Sequence, residues 1–178
     1  MLAKTIETIL DRALSGADIT PDEGVELLQQ TSTAAIASIR ATANELRHQQ
    51  VGDTVTYVVN RNINFTNICE QHCSFCAFRR DAGEAGSYWL AEEQILAKAT
   101  DAVQRGATEI CMQGGLHPTA KIEGKSLPYY LHLVKLIKSK FPQLHLHAFS
   151  PQEVQFIARE DGLSYASAIA ALRDAGVG

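Results

Sequence analysis

A basic excess, a long apolar run and a fourth clustered cysteine are all missing from this sequence. Sixteen Lys and Arg stand against twenty Asp and Glu across 178 residues, a net charge of -4. No global positive field is therefore available to draw in nucleic acid or an anionic membrane, and neither is expected as a partner. No stretch nears the ~20 apolar residues of a membrane span. The N-terminus, "MLAKTIETILDRALSG", interleaves charged and apolar residues where a signal peptide needs an unbroken apolar core. The expected compartment is the cytoplasm, where thiols stay reduced. Low-complexity linkers, charge runs and short internal repeats are missing as well. With 46% hydrophobic and 20% charged residues, the composition is that of an ordered globular chain of one-domain length.

What is present begins with helix signals. "TPDE" at Thr20 to Glu23 offers a hydroxyl cap, a proline at the first helical position and an acid three residues after the cap. Residues 33–50 are Ala-rich and predict a further helix, so residues 1–50 read as a helical leader. From residue 51 the character changes. "TVTYVVNRNINF", 54–65, is dense in β-branched and aromatic residues and predicts a largely buried strand. "LAEEQILAKATDAVQRG" then places Ile95, Ala99, Ala102 and Val103 at helical spacing, with Gly106 as a stop. "ATEICMQGG" predicts a second strand, "LPYYLHLVKLIKSKFP" a helix, "LHLHAF" a third strand, and "SPQEVQFIARED" a helix opened by a capping box.

This β-α-β-α-β-α rhythm predicts parallel strands of an α/β fold. Residues 51–178 supply about three βα units and one more helix, whereas a full eight-unit barrel takes ~250 residues. The chain therefore reads as truncated, the front part of a larger β/α barrel. The three least ordinary segments each follow a strand: the cysteine loop, "QGGLHP" and "SPQE". All three are expected at the C-terminal ends of the strands, where such folds build their sites.

Cys69, Cys73 and Cys76 lie within eight residues at x3 and x2 spacing. Three thiolates on so short a loop can each bind a different iron of a 4Fe-4S cube, leaving the fourth iron open to a small chelating ligand. The rival is a zinc site completed by His72 or a distant histidine, but the paired ligand spacing typical of zinc is missing. Cys111 lies inside the second strand without a partner nearby, and its default is a small buried hydrophobe.

Cys-x3-Cys-x2-Cys with Phe75 before the last cysteine resembles the signature of the radical S-adenosylmethionine (SAM) enzymes. The words "NINFTNICEQHCSFCAFRRD", "EICMQGGLHP" and "LHLHAFSPQEVQFIAREDG" are more specifically similar to the tyrosine-using members of the FO synthase family. The resemblance implies an N-terminal part of a radical SAM (β/α) barrel, a 4Fe-4S cluster on Cys69, Cys73 and Cys76, and SAM chelated at the open iron. It further implies cleavage of SAM to a 5'-deoxyadenosyl radical, which takes hydrogen from the amine of L-tyrosine. The Cα-Cβ bond then breaks to leave 2-iminoacetate, and the 4-hydroxybenzyl fragment passes to 5-amino-6-(D-ribitylamino)uracil. FO synthase subunit 1 and a cellular electron donor are the partners it implies. The alternatives are an aminofutalosine-type synthase of the menaquinone pathway, which shares the "INxTN" and "FCAF" style, and a truncated cluster-binding fragment without turnover.

Other residues carry two readings. Gln113, Gly114 and Gly115 match the region that binds the methionine end of SAM in the family, or form an ordinary strand-to-loop turn; the glutamate that often follows these glycines is missing. Ser150 and Glu153 are a capping box first and a SAM or substrate contact second. Phe75 and Phe78 shield the cluster or lean on adenine, against simple loop packing. His117 meets substrate or is merely solvated. Asn60, Asn62 and Asn64 share one strand face, inward or outward. Tyr57 and Met112 are expected in the core.

Overall fold

The computed structural model describes residues 4–178, and the chain divides into two compact units, one ending at Thr56 and the other running from Tyr57 to Gly178. In the first, α1 (Lys4–Leu14), α2 (Pro21–Leu28) and α3 (Thr33–Val51) bury Ile6, Ile9, Leu10 and Ala35. The capping box forms as its sequence requires: Thr20 Oγ1 accepts from Glu23 N at 3.2 Å, and Thr20 N donates to Glu23 Oε2 at 2.8 Å. Among the described residues no helix is long and apolar enough to cross a membrane.

The second unit alternates β1 (Asn60–Asn64), α4 (Glu92–Gln104), β2 (Glu109–Gln113), α5 (Ser126–Lys140), β3 (His145–Ala148), α6 (Pro151–Asp161) and α7 (Tyr165–Ala175). The strands form one parallel sheet in the order β1-β2-β3, with Asn60 opposite Glu109 and Glu109 opposite His145. Side chains alternate across it. Ile63, Ile110, Met112 and Leu146 point to one side and pack with Ile95, Ala99, Tyr130, Leu133, Phe156 and Leu172 of the helices. The other side carries Asn60, Asn62, Asn64, Glu109, Cys111, Gln113, His145 and His147. Met112 is thus a core residue, as its pattern predicts.

The first strand is shorter than its composition suggests. Residues 54–59 form no strand, and Val55, Tyr57, Val58 and Val59 are exposed, so Tyr57 is a surface residue and not part of the core. The reason lies in the neighbour. Val59 O accepts from Thr108 N at 2.9 Å, but α4 ends at Gln104 and β2 begins only at Glu109, so residues further back have no strand to pair with. High β-propensity without a ladder partner does not make a strand.

Helix α5 has no capping side chain of its own at Lys125. Instead the carboxylate of Asp161, at the end of α6, accepts from Ser126 N and Leu127 N, both at 2.7 Å. This cap joins two helices that lie far apart in sequence. Asp161→Ala is expected to lower stability by about 1–2 kcal/mol, the usual cost of a lost cap, read as a reduced urea midpoint with an unchanged slope.

Candidate functional site

The loop between β1 and α4 is held closed by its own backbone. Cys69 N donates to Arg80 O at 3.2 Å and Arg80 N to Asn67 O at 2.9 Å, so the outgoing and returning limbs are stitched together. Buried Thr66 accepts from Ile68 N at 3.1 Å and donates to Tyr88 O at 2.8 Å. Asn67 adds Nδ2 to Gly86 O and accepts Tyr88 N. Cys73 and Cys76 lie on the tip between these limbs, and all three thiols of the loop are free.

The glycine loop after β2 is pressed against this base. Gly115 N donates to Thr66 O at 2.9 Å, and Glu70 N donates to Leu116 O at 3.0 Å. A Cβ on Gly115 would lie 2.2 Å from Ile68 O and 2.9 Å from Cys69 Cβ, and one on Gly114 would lie 2.5 Å from the Phe65 ring. No side chain fits at either position without moving the cysteine loop or the aromatic core. Here glycine serves close approach.

Glu153 fastens the third strand end. Its carboxylate is buried, with Oε1 accepting from Gly114 N at 2.9 Å and Oε2 accepting from Ser150 N at 2.7 Å and Ser150 Oγ at 2.8 Å. The capping box is real, but it uses one oxygen; the other reaches across to the glycine loop. Burial raises the Glu153 pKa to about 7 despite the hydrogen bonds that favour its charged form. The sequence pattern alone cannot reveal this second bond, because residues 114 and 153 meet only in the fold.

All nine residues expected at the site line one cavity of about 360 Å³: Cys69, Cys73, Cys76, Phe75, Phe78, Gln113, Gly114, Gly115 and Ser150. Asn62, Asn64, Arg79, Tyr88 and Glu153 line it as well, which turns two of the three β1 asparagines toward the site; Asn60 instead donates to Glu109 at 3.1 Å. Phe75 and Phe78 are 90% and 75% exposed at the cavity's edge, so they do not pack the loop. Cys111 is half-buried, less than its expected core placement. His117 is neither at the site nor solvated. It is buried beside Trp89 with ring centroids 4.4 Å apart, its Nδ1 accepts from Thr119 N at 3.2 Å, and burial lowers its pKa.

The chemistry of the donor set can be tested on this geometry. Among the described residues no three His, Cys, Asp or Glu side chains converge on a single metal-ion position. His72, the proposed completing ligand for zinc, is engaged elsewhere: Nδ1 donates to Glu70 O at 3.0 Å, and Nε2 accepts from Arg79. Cys69, Cys73 and Cys76 are free and line the same cavity, and a cube, whose irons take one thiolate each, asks less convergence of them than a single ion does.

The raised Glu153 pKa carries a consequence for stability. Below its usual value of 4.5 the carboxyl is protonated in both folded and unfolded chains. As pH rises toward 7 the unfolded chain releases the proton first, so this group's contribution to stability is full below pH 4.5 and is lost through about pH 7. The stability of the native chain relative to Glu153→Gln is expected to fall between pH 5 and 8, by at most about 3 kcal/mol, as read from urea midpoints at each pH.

The model of the Radical SAM superfamily matches residues 63–178. The chain is 72% identical, over its whole length, to 47% of the 5-amino-6-(D-ribitylamino)uracil--L-tyrosine 4-hydroxyphenyl transferase of Nostoc punctiforme. It is 55% identical over 98% of its length to 45% of the protein of that name from Synechococcus elongatus. The chain thus spans about half the length of the curated relatives it matches. Among solved structures, methylornithine synthase (PylB) superposes with a TM-score of 0.61 at 17% identity, covering 95% of this chain and 56% of that one. The FeFe-hydrogenase maturase HydG from Carboxydothermus hydrogenoformans gives 0.64 at 17% identity, covering 97% and 46%. These two likenesses concern the fold, a partial β/α barrel entered through a helical leader. The matched span holds the end of β1, all of β2 and β3, the cysteine loop and the glycine loop, and the chain belongs to the radical SAM superfamily.

Proposed function

We propose that this chain carries the cofactor-binding part of a transferase that moves the 4-hydroxybenzyl group of L-tyrosine onto 5-amino-6-(D-ribitylamino)uracil. The observation that carries the reading is the 72% identity to a relative so named, over a match that spans the whole of this chain. Membership of the superfamily brings with it the use of a 4Fe-4S cluster and SAM. Cys69, Cys73 and Cys76 are the residues that would hold the cluster, leaving one iron open to SAM. When bound, these cofactors supply a carbon radical able to abstract hydrogen.

The protein's own part is positioning and exclusion of water. Gly114 and Gly115 let their loop pack directly against the Phe65 ring and the base of the cysteine loop, which sets Gln113 and the loop backbone at the cavity wall, where a ligand's methionyl end would meet them. Ser150, locked by Glu153, offers a fixed hydroxyl at the cavity wall. Phe75 and Phe78, exposed at the edge, are placed to cover a bound cluster and nucleoside. FO synthase subunit 1 would use the product, a reductant of low potential would supply the electron, and the cytoplasm would keep the thiols reduced.

Anaerobic reconstitution with iron and sulfide is expected to give about four irons per chain. Changing Cys69, Cys73 or Cys76 to Ala should abolish uptake, while Cys111→Ala should leave it intact. Gly115→Ala should also lose iron although every thiol remains, because the new methyl group displaces the base of the cysteine loop. Stoichiometric zinc without iron would refute the cluster. In a protein of the relatives' full length that contains this span, reductant, SAM, L-tyrosine and the aminouracil should yield 5'-deoxyadenosine and a hydroxybenzyl-uracil adduct. Consumption of an enolpyruvyl-benzoate in place of tyrosine would overturn the substrate assignment.

A further inference from the structure

Two buried polar atoms of the cavity lack partners, and they are complementary. Among the described residues, Arg79 Nε and Asn64 Oδ1 are shut from solvent without a hydrogen-bond partner, and both side chains line the same cavity. One is a cationic donor and the other a neutral acceptor. Buried groups of this kind are ordinarily satisfied, and leaving them unpaired is costly.

Arg79 is held in place without using up its donors. Its Nη2 donates to His72 Nε2 and to Asp81 Oδ1, and neither of those residues lines the cavity. It is also the one cationic side chain among the described residues of the cavity wall. A guanidinium stays charged throughout the working range of pH, and its hydrogen bonds to a carboxylate are of the strong, charge-assisted kind. A single cation suits one negative charge, whereas a phosphate group usually calls on several donors and cations. Asn64 Oδ1, on β1, suits an amino N–H.

We propose that Arg79 and Asn64 together hold the two polar ends of an α-amino acid, the carboxylate on Arg79 and an amino N–H on Asn64. The pair deepens the proposed function and rests on it for the ligand's identity, which is either the methionyl end of SAM or free L-tyrosine. Both present the same chemistry to the pair. The two residues act by orienting the ligand, since neither need exchange a proton with it.

Equilibrium dialysis with the reconstituted chain distinguishes the two sources. One arm compares SAM with decarboxylated SAM, and the other compares L-tyrosine with tyramine and with 3-(4-hydroxyphenyl)propionate. In one arm Arg79→Gln should weaken the amino acid about 10- to 100-fold, the size of a charge-assisted hydrogen bond, and leave its decarboxylated analogue unchanged. Arg79→Lys should restore part of the loss. In the tyrosine arm Asn64→Leu should erase the preference for tyrosine over the propionate. An effect confined to the SAM arm assigns the pair to SAM, and one confined to the tyrosine arm assigns it to the substrate. Equal weakening of acid and analogue, or no weakening in either arm, overturns the pair. Iron content of the same samples separates this outcome from failure of the proposed function. A chain with about four irons and no charge-selective loss refutes the pair alone, while one without iron that keeps the selective loss refutes the cluster reading alone.

Discussion

Gly115 lies so close to the cysteine loop that a single added methyl group would stand 2.2 Å from the carbonyl oxygen of Ile68. The rest of the site depends on that approach. It lets Gly115 N bond Thr66 O and Glu70 N bond Leu116 O, so the loops following β1 and β2 share one wall. Parallel pairing brings the ends of the two strands side by side, with Asn64 opposite Gln113. The glycines convert that adjacency into contact, and the thiols inherit their position from it.

A second tie joins the third strand end. Glu153 is buried at the cost of a strained ionisation, which its three hydrogen bonds offset only in part. A carboxylate placed so deep would be a liability in a purely structural cap. Here it orients both Ser150 and Gly114, two residues of the cavity wall on different strands' loops. On the cysteine loop itself, Glu70 pairs with Arg159 of α6, which adds an exposed tie between the same regions. Exposed pairs of this kind contribute little to stability, so the buried carboxylate is the stronger of the two constraints.

Much of this was legible in the sequence. The strand and helix alternation, the capping boxes at Thr20 and Ser150, and the clustering of three post-strand segments all follow from local spacing. What could not be read depends on residues that meet only in three dimensions. Whether 54–59 would pair depended on where β2 starts, not on how many valines the segment holds. His117 looked like a loop residue, yet the Trp89 ring covers it. Arg79 is one of two adjacent arginines with nothing in the sequence to tell them apart, and only the fold brings it to the cavity wall that the thiols also line. Asn62 and Asn64 could be placed on a common face from their spacing, but not on the correct side of the sheet.

The central claim is that the cysteine loop holds a cube with one iron open to SAM. Its most direct test is the electron paramagnetic resonance spectrum of the reconstituted, reduced chain before and after addition of SAM. An open iron predicts a changed spectrum, because the amino and carboxylate groups of SAM enter its coordination sphere. A cluster signal that stays the same at saturating SAM would contradict the claim.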